Sequence, residues 1–156
     1  MPDYFLDTSA IVKRYVPERG CQWVRRICRS DARHRVMIAE IALVEVVASL
    51  SRMVRESPPR LLIVDRERLI SLFRRHVQRS YDIVPVARVT LTRAADLCRT
   101  HPLRAYDAVQ LASALTIRDE TLMAGITPPV FVCADTALLS IAAAEGLVTD
   151  NPNDHP

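Results

Sequence analysis

Short apolar runs of three or four residues alternate along the chain with longer stretches in which apolar residues recur every three or four positions. The first pattern predicts strands and the second amphipathic helices. Tyr4 to Leu6 is a predicted strand, Thr8 to Tyr15 a helix ended near Pro17, and about Glu18 to Arg29 a second helix. Val36 to Ile38 reads as the next strand, after which Ile41, Ala42, Val44, Val47, Ala48 and Leu50 sustain one helical stripe until Ser57-Pro58-Pro59 stops it. Asp65 to about Ser80 predicts a helix with Leu69, Leu72, Phe73 and Val77 inward. Ile83 to Val86 predicts a strand near a sheet edge, because Pro85 forfeits a ladder hydrogen bond. Helices follow over Thr90 to Arg99 and Leu103 to about Arg118, then a buried strand over Val130 to Cys133. Thr136 to Glu145 is the last helix, stopped by Gly146 before a short strand at Leu147 to Thr149.

Strands alternating with helices imply an α/β fold, a three-layer α/β/α sandwich around a mostly parallel central sheet. Residues 1–149 are expected to form a single domain, and the tail 150–156, which lacks apolar side chains, is expected to fray. In such sheets ligands gather outside the carboxyl ends of the strands. Asp7 and Asp135 both fall there.

Composition narrows the class. The chain is 49% hydrophobic and 25% charged, with no apolar run near the ~20 residues of a membrane helix and no basic segment ahead of a cleavable signal. A soluble, cytoplasmic protein with no membrane partner is expected. Cys21, Cys28, Cys98 and Cys133 have no paired spacing, and His34, His76 and His101 form no pattern with them, which disfavours zinc. Cys21 and Cys28 read as packing thiols on one helical face. All 21 basic residues except Lys13 are arginines. Arginine forks suit phosphate, but the same bias follows from genome composition, and runs such as Arg74, Arg75 and Arg79 also suit a solvated helical face.

Four acids stand out because they lie inside apolar stretches, where carboxylates are rarely left unpaired. Asp7 sits between Tyr4-Phe5-Leu6 and the following helix, and Asp135 follows the last buried strand. Asp107 shares a helical face with Leu103, Leu111 and Ala114, and Glu45 has Ile41, Ala42, Ala48 and Ser49 as helical neighbours. Each has an ordinary alternative: Asp7 and Asp135 as helix caps, Glu45 as the partner of a buried arginine, Asp107 as an acceptor from Tyr106 or a backbone amide. If they converge, each pair of carboxylates about 5 Å apart repels by roughly 3 kcal/mol at an effective dielectric of 20. Protons, an arginine or a hard divalent cation would neutralise them, and the all-oxygen donor set suits Mg²⁺ or Mn²⁺ better than Zn²⁺. Ser9 is placed to add a hydroxyl to that ion or its water.

The segments Phe5-Leu6-Asp7-Thr8-Ser9-Ala10-Ile11-Val12-Lys13, Leu43-Val44-Glu45-Val46, Leu103 to Ala112 with its core Tyr106-Asp107-Ala108, and Phe131 to Leu139 with Asp135-Thr136, in that order, resemble the PIN-domain family. More narrowly they resemble the VapC-type toxins of toxin–antitoxin pairs. The resemblance implies a Mg²⁺- or Mn²⁺-dependent ribonuclease acting on RNA, a cognate antitoxin that blocks its acidic pocket, and a toxin homodimer. It places the family's acidic positions on Asp7, Glu45, Asp107 and Asp135, and the hydroxyl position on Ser9. Asp7, Asp107 and Asp135 are expected to hold the metal, with Glu45 holding a second ion or orienting the attacking water. Two residues before the last acid the family commonly carries Thr or Ser, and here stands Cys133. Lys13, Arg14 and Arg104, nearest the acids in sequence, are the expected guides for an RNA backbone. The rival readings are a catalytically inactive PIN-like module that docks a protein or RNA, and a phosphatase of the haloacid dehalogenase type. The phosphatase needs a second acid where Ser9 stands.

Overall fold

Alternate residues of each central strand feed opposite cores, which is how a sheet becomes the middle of three layers. A computed structural model describes residues 2–29 and 31–155. Its elements are β1 (Tyr4–Leu6), α1 (Thr8–Lys13), α2 (Cys21–Ile27), β2 (Val36–Ala39), α3 (Ala42–Arg55), α4 (Ile63–Arg79), β3 (Asp82–Val84), α5 (Arg88–Thr100), α6 (Ala105–Met123), β4 (Val130–Val132), α7 (Thr136–Ala144) and β5 (Thr149–Asp150), then a 3-10 turn at Pro152–Asp154. The sheet order is β3-β2-β1-β4-β5, and every pairing is parallel. Leu6, Val36, Ile38 and Val132 pack against α1 to α4, while Phe5, Met37, Ala39, Phe131 and Cys133 pack against α5 to α7. The expected three-layer sandwich is therefore present, with a sheet that is wholly parallel.

Several boundaries differ from the sequence pattern for local reasons. The second helix begins at Cys21 because Gly20 takes a left-handed φ of 81° just before it, and a side chain there would run into the Pro152 carbonyl. Strand β3 stops at Val84, ahead of Pro85, and lies at the sheet edge as expected. Helix α6 continues past Arg118 to Met123, where Arg118 and Arg93 both pair with Asp119. Residues 150–155 of the tail, expected to fray, instead pack, and Pro156 lies outside the described residues. Asn151 caps the 3-10 turn through Asn153 N–H at 2.9 Å, Pro152 is buried, and His155 stacks on Trp23 with ring centroids 4.2 Å apart. Apolar periodicity misses this segment because it is held by a cap and a ring stack. Among the described residues no helix is long and apolar enough to cross a membrane.

A polar knot joins α1 to α4. The Tyr15 hydroxyl lies 2.9 Å from His76 Nδ1 and 3.0 Å from the Tyr81 hydroxyl, and the Arg14 guanidinium sits 5.2 Å from the centre of the Tyr81 ring. Burial, with the Arg14 and Arg75 charges, pulls His76 from 6.5 down to about 4. The fold thus favours the neutral imidazole. That contribution is fully present above pH ~6.5 and is lost as pH falls through about 4. Since His76 is partly solvated, the loss is expected to be about 1 kcal/mol. Urea midpoints at pH 7, 5.5 and 4.5 check it: the wild-type midpoint falls more steeply than that of His76→Gln, whereas parallel profiles would count against this knot as the pH-sensitive element.

Candidate active site

Strands β1 and β4 are adjacent, yet their connections leave in opposite directions, toward β2 on one side and β5 on the other. Such a reversal opens a crevice at the carboxyl ends of the strands. Asp7 directly follows β1 there and caps α1, and Asp135 follows β4 and caps α7. Both ordinary capping roles are real, but each uses only one carboxylate oxygen. Asp7 Oδ2 accepts from Ser9 N–H at 3.0 Å and Ser9 Oγ at 2.6 Å, and lies 3.4 Å from Cys133 Sγ. Asp135 Oδ1 accepts from the Ala137 and Leu138 amides at 2.8 and 3.1 Å.

Helices α3 and α6 bring the other two acids from their first turns. Glu45 Oε2 accepts from Thr8 Oγ1 at 2.8 Å and Gln110 Nε2 at 2.6 Å. Among the described residues, Asp7 Oδ1, Asp135 Oδ2, Glu45 Oε1 and both oxygens of Asp107 accept no protein hydrogen bond. All four acids, with Ser9, line one cavity of about 540 Å³.

Their charges are felt mutually. Burial raises the Asp107 carboxyl above its usual range, the negative charges of Asp7 and Asp135 raise it further, and Arg104 offsets part of this. Glu45 is raised chiefly by burial, with smaller additions from Asp7 and Asp107, against the lowering effect of its bonds from Gln110 and Thr8. The site is therefore a pocket of carboxylates in want of positive charge.

Cys133 fits where a hydroxyl residue was expected. Its sulfur accepts from Asp135 N–H at 3.3 Å and lies 3.5 Å from Ser9 Oγ, while Ser9 Oγ accepts from Ala134 N–H at 2.9 Å. Burial and the Asp7 charge push the thiol far up, so it stays protonated and supplies no soft thiolate ligand. The donors turned to the pocket are hard oxygens, which suit Mg²⁺ or Mn²⁺. Among the described residues no group of three His, Cys, Asp or Glu side chains is already gathered as a metal shell.

The basic residues correct the sequence expectation. Lys13 is buried, with Nζ donating to the Arg19 carbonyl at 2.9 Å and paired with Glu18 at 3.3 Å. Arg14 donates to the Cys28 carbonyl and lines a different cavity. Proximity in sequence misled because α1 turns these two side chains away from the acids. Arg104 does line the acidic cavity, and so does Arg52. Arg52 stands seven residues after Glu45 on α3, two turns along the same side, and that spacing was the available signal. Thr8 and Gln110 were also missed as partners of Glu45.

Residues 4–125 match the family model described as the PIN domain. The chain belongs to the PIN-domain family. Solved structures show the same fold at low identity. A toxin-antitoxin complex from Klebsiella pneumoniae aligns with TM-score 0.64 and 13% identity over 96% of this chain and 98% of that one. VapBC2 from Rickettsia felis, bound to a DNA fragment from its promoter, gives 0.61 and 14% over 95% and 97%. FitAcB from Neisseria gonorrhoeae gives 0.56 and 16% over 98% and 99%. No curated protein matches the chain in sequence. Asp135 lies beyond the matched stretch of the PIN model, and it reaches the pocket through the pairing of β4 with β1.

Proposed function

We propose that this PIN domain is a Mg²⁺- or Mn²⁺-dependent endoribonuclease, the toxin of a toxin–antitoxin pair. The observation that carries the reading is the set of carboxylates in one cavity, three of them anchored through one oxygen with the other left open. Asp7, Asp107 and Asp135 would hold the ion, and Glu45 would hold a second one or orient the attacking water. Ser9 fixes Asp7 by donating to Oδ2. When bound, the ion supplies Lewis acidity to the phosphodiester and offsets the mutual repulsion of the acids. Arg52 and Arg104 stand exposed at the same cavity and would hold flanking phosphates. Val44 and Tyr106, also exposed there, offer apolar surface to an unpaired base.

The toxin role draws on the neighbour from Klebsiella pneumoniae, which is named a toxin-antitoxin complex. On this reading a cognate antitoxin covers the pocket and the toxin pairs as a homodimer in the cytoplasm. The first support sought is thermal unfolding with added Mn²⁺. At 100 times its dissociation constant the ion is expected to stabilise the protein by about 2.7 kcal/mol, or roughly 5–10 °C in Tm, reversibly with EDTA. A flat Mn²⁺ titration would instead favour an inactive PIN-like module that only docks a protein or RNA.

A further inference from the structure

Gln110 on α6 is only 1% exposed, yet it sits three residues from Asp107 among apolar neighbours. Its Nε2 donates to Glu45 Oε2 at 2.6 Å and to Thr8 Oγ1 at 2.9 Å, and Thr8 Oγ1 donates to the same Glu45 oxygen at 2.8 Å. The three side chains close a triangle that joins α6, α3 and the start of α1. The amide orientation follows from chemistry, because the reverse one would press a carbonyl oxygen against a carboxylate. Gln110 Oε1, by contrast, is buried and has no hydrogen-bond partner among the described residues. An amide that leaves its acceptor unsatisfied is a poor core filler, and a side chain such as Met would fill the space without that loss. The two donated bonds are what the amide contributes.

We propose that Gln110 is a positioning residue for Glu45: with Thr8 it clamps one carboxylate oxygen and so turns the other toward the cavity. The meaning of that free oxygen, as ion holder or water orienter, rests on the nuclease reading, whereas the clamp itself does not. Groups that fix the orientation of a metal-site carboxylate act through it, and their loss costs about 10- to 100-fold in activity or metal affinity.

The test is Gln110→Met, which keeps length and removes both donors, together with Thr8→Val, which removes only the bridging hydroxyl and serves if the first variant folds poorly. For each variant the measurements are kcat and KM on RNA at saturating Mn²⁺, the Mn²⁺ concentration for half-maximal thermal stabilisation, and the Glu45 conformation in a crystal structure. The expected result is a kcat about 10- to 100-fold lower with KM for RNA within roughly twofold, a higher Mn²⁺ midpoint, and a Glu45 carboxylate that leaves its place. In a Glu45→Gln background Gln110→Met should add no further loss of kcat. Unchanged kcat and Mn²⁺ midpoint, or an equal loss in both backgrounds, overturns the clamp. Should the wild type neither cut RNA nor respond to Mn²⁺, the nuclease reading fails, and the Glu45 position alone decides: displacement supports the clamp and an unmoved carboxylate refutes it.

Discussion

Asp107→Asn is expected to remove nearly all cleavage while making the metal-free protein more stable. The two effects have one cause. Asp107 accepts no protein hydrogen bond among the described residues, and its carboxyl is pushed up by burial and by the charges of Asp7 and Asp135. It contributes repulsion to the fold, offset only in part by Arg104. The amide has the same size and no charge, so the metal-free variant should gain about 0.5–1 kcal/mol, already allowing for solvent screening, or roughly 1–4 °C in Tm. Cleavage should fall by more than about 100-fold, beyond the cost of losing an outer partner of a metal site. Melting and single-turnover assays on the same preparations check both halves. Lower stability with intact cleavage would place Asp107 in the scaffold and outside the chemistry.

Replacing Arg52 and Arg104 together by Ala is expected to weaken RNA binding strongly and to flatten its salt dependence. Both arginines are exposed at the acidic cavity, and neither is tied up in a hydrogen bond or salt bridge among the described residues. A free cation beside a phosphate site contributes mainly through counterion release. Two lost phosphate contacts on a single strand should lower the slope of log K against log salt by about 1.4. Affinity should drop on the order of tenfold or more at low salt and less at high salt. Arg99→Ala is the control, since that side chain lies on α5 beside Asp96 and outside the cavity. A slope unchanged in the double variant would take both arginines off the RNA path.

The acids were legible in the sequence because local pattern marks them. Asp7 and Asp135 each follow a short apolar strand and precede a helix, so strand ends and caps locate them at one edge of a parallel sheet. Glu45 and Asp107 were marked by the apolar faces of their helices. What local pattern does not carry is the pairing across helices. Nothing near Gln110 in sequence shows that its amide meets Glu45, which is 65 residues away, and Thr8 was read only as part of a helix start. Lys13 and Arg14 illustrate the reverse error: adjacency to Asp7 suggested a shared site, and the rotation of α1 sends Lys13 to Glu18 and Arg14 toward Tyr81. Residues 150–155 escaped for a third reason, because their order comes from the Asn151 cap and the stacking of His155 on Trp23.

Incubation of purified protein, free of any bound partner, with total RNA in EDTA, Mg²⁺ or Mn²⁺, beside Asp7→Asn, distinguishes a nuclease pocket from an inert cluster of acids. Endonucleolytic fragments are expected with either metal, none in EDTA, and none from the variant. Intact RNA in every lane from protein shown to be folded, or cutting that persists equally in EDTA and in Asp7→Asn, would contradict it.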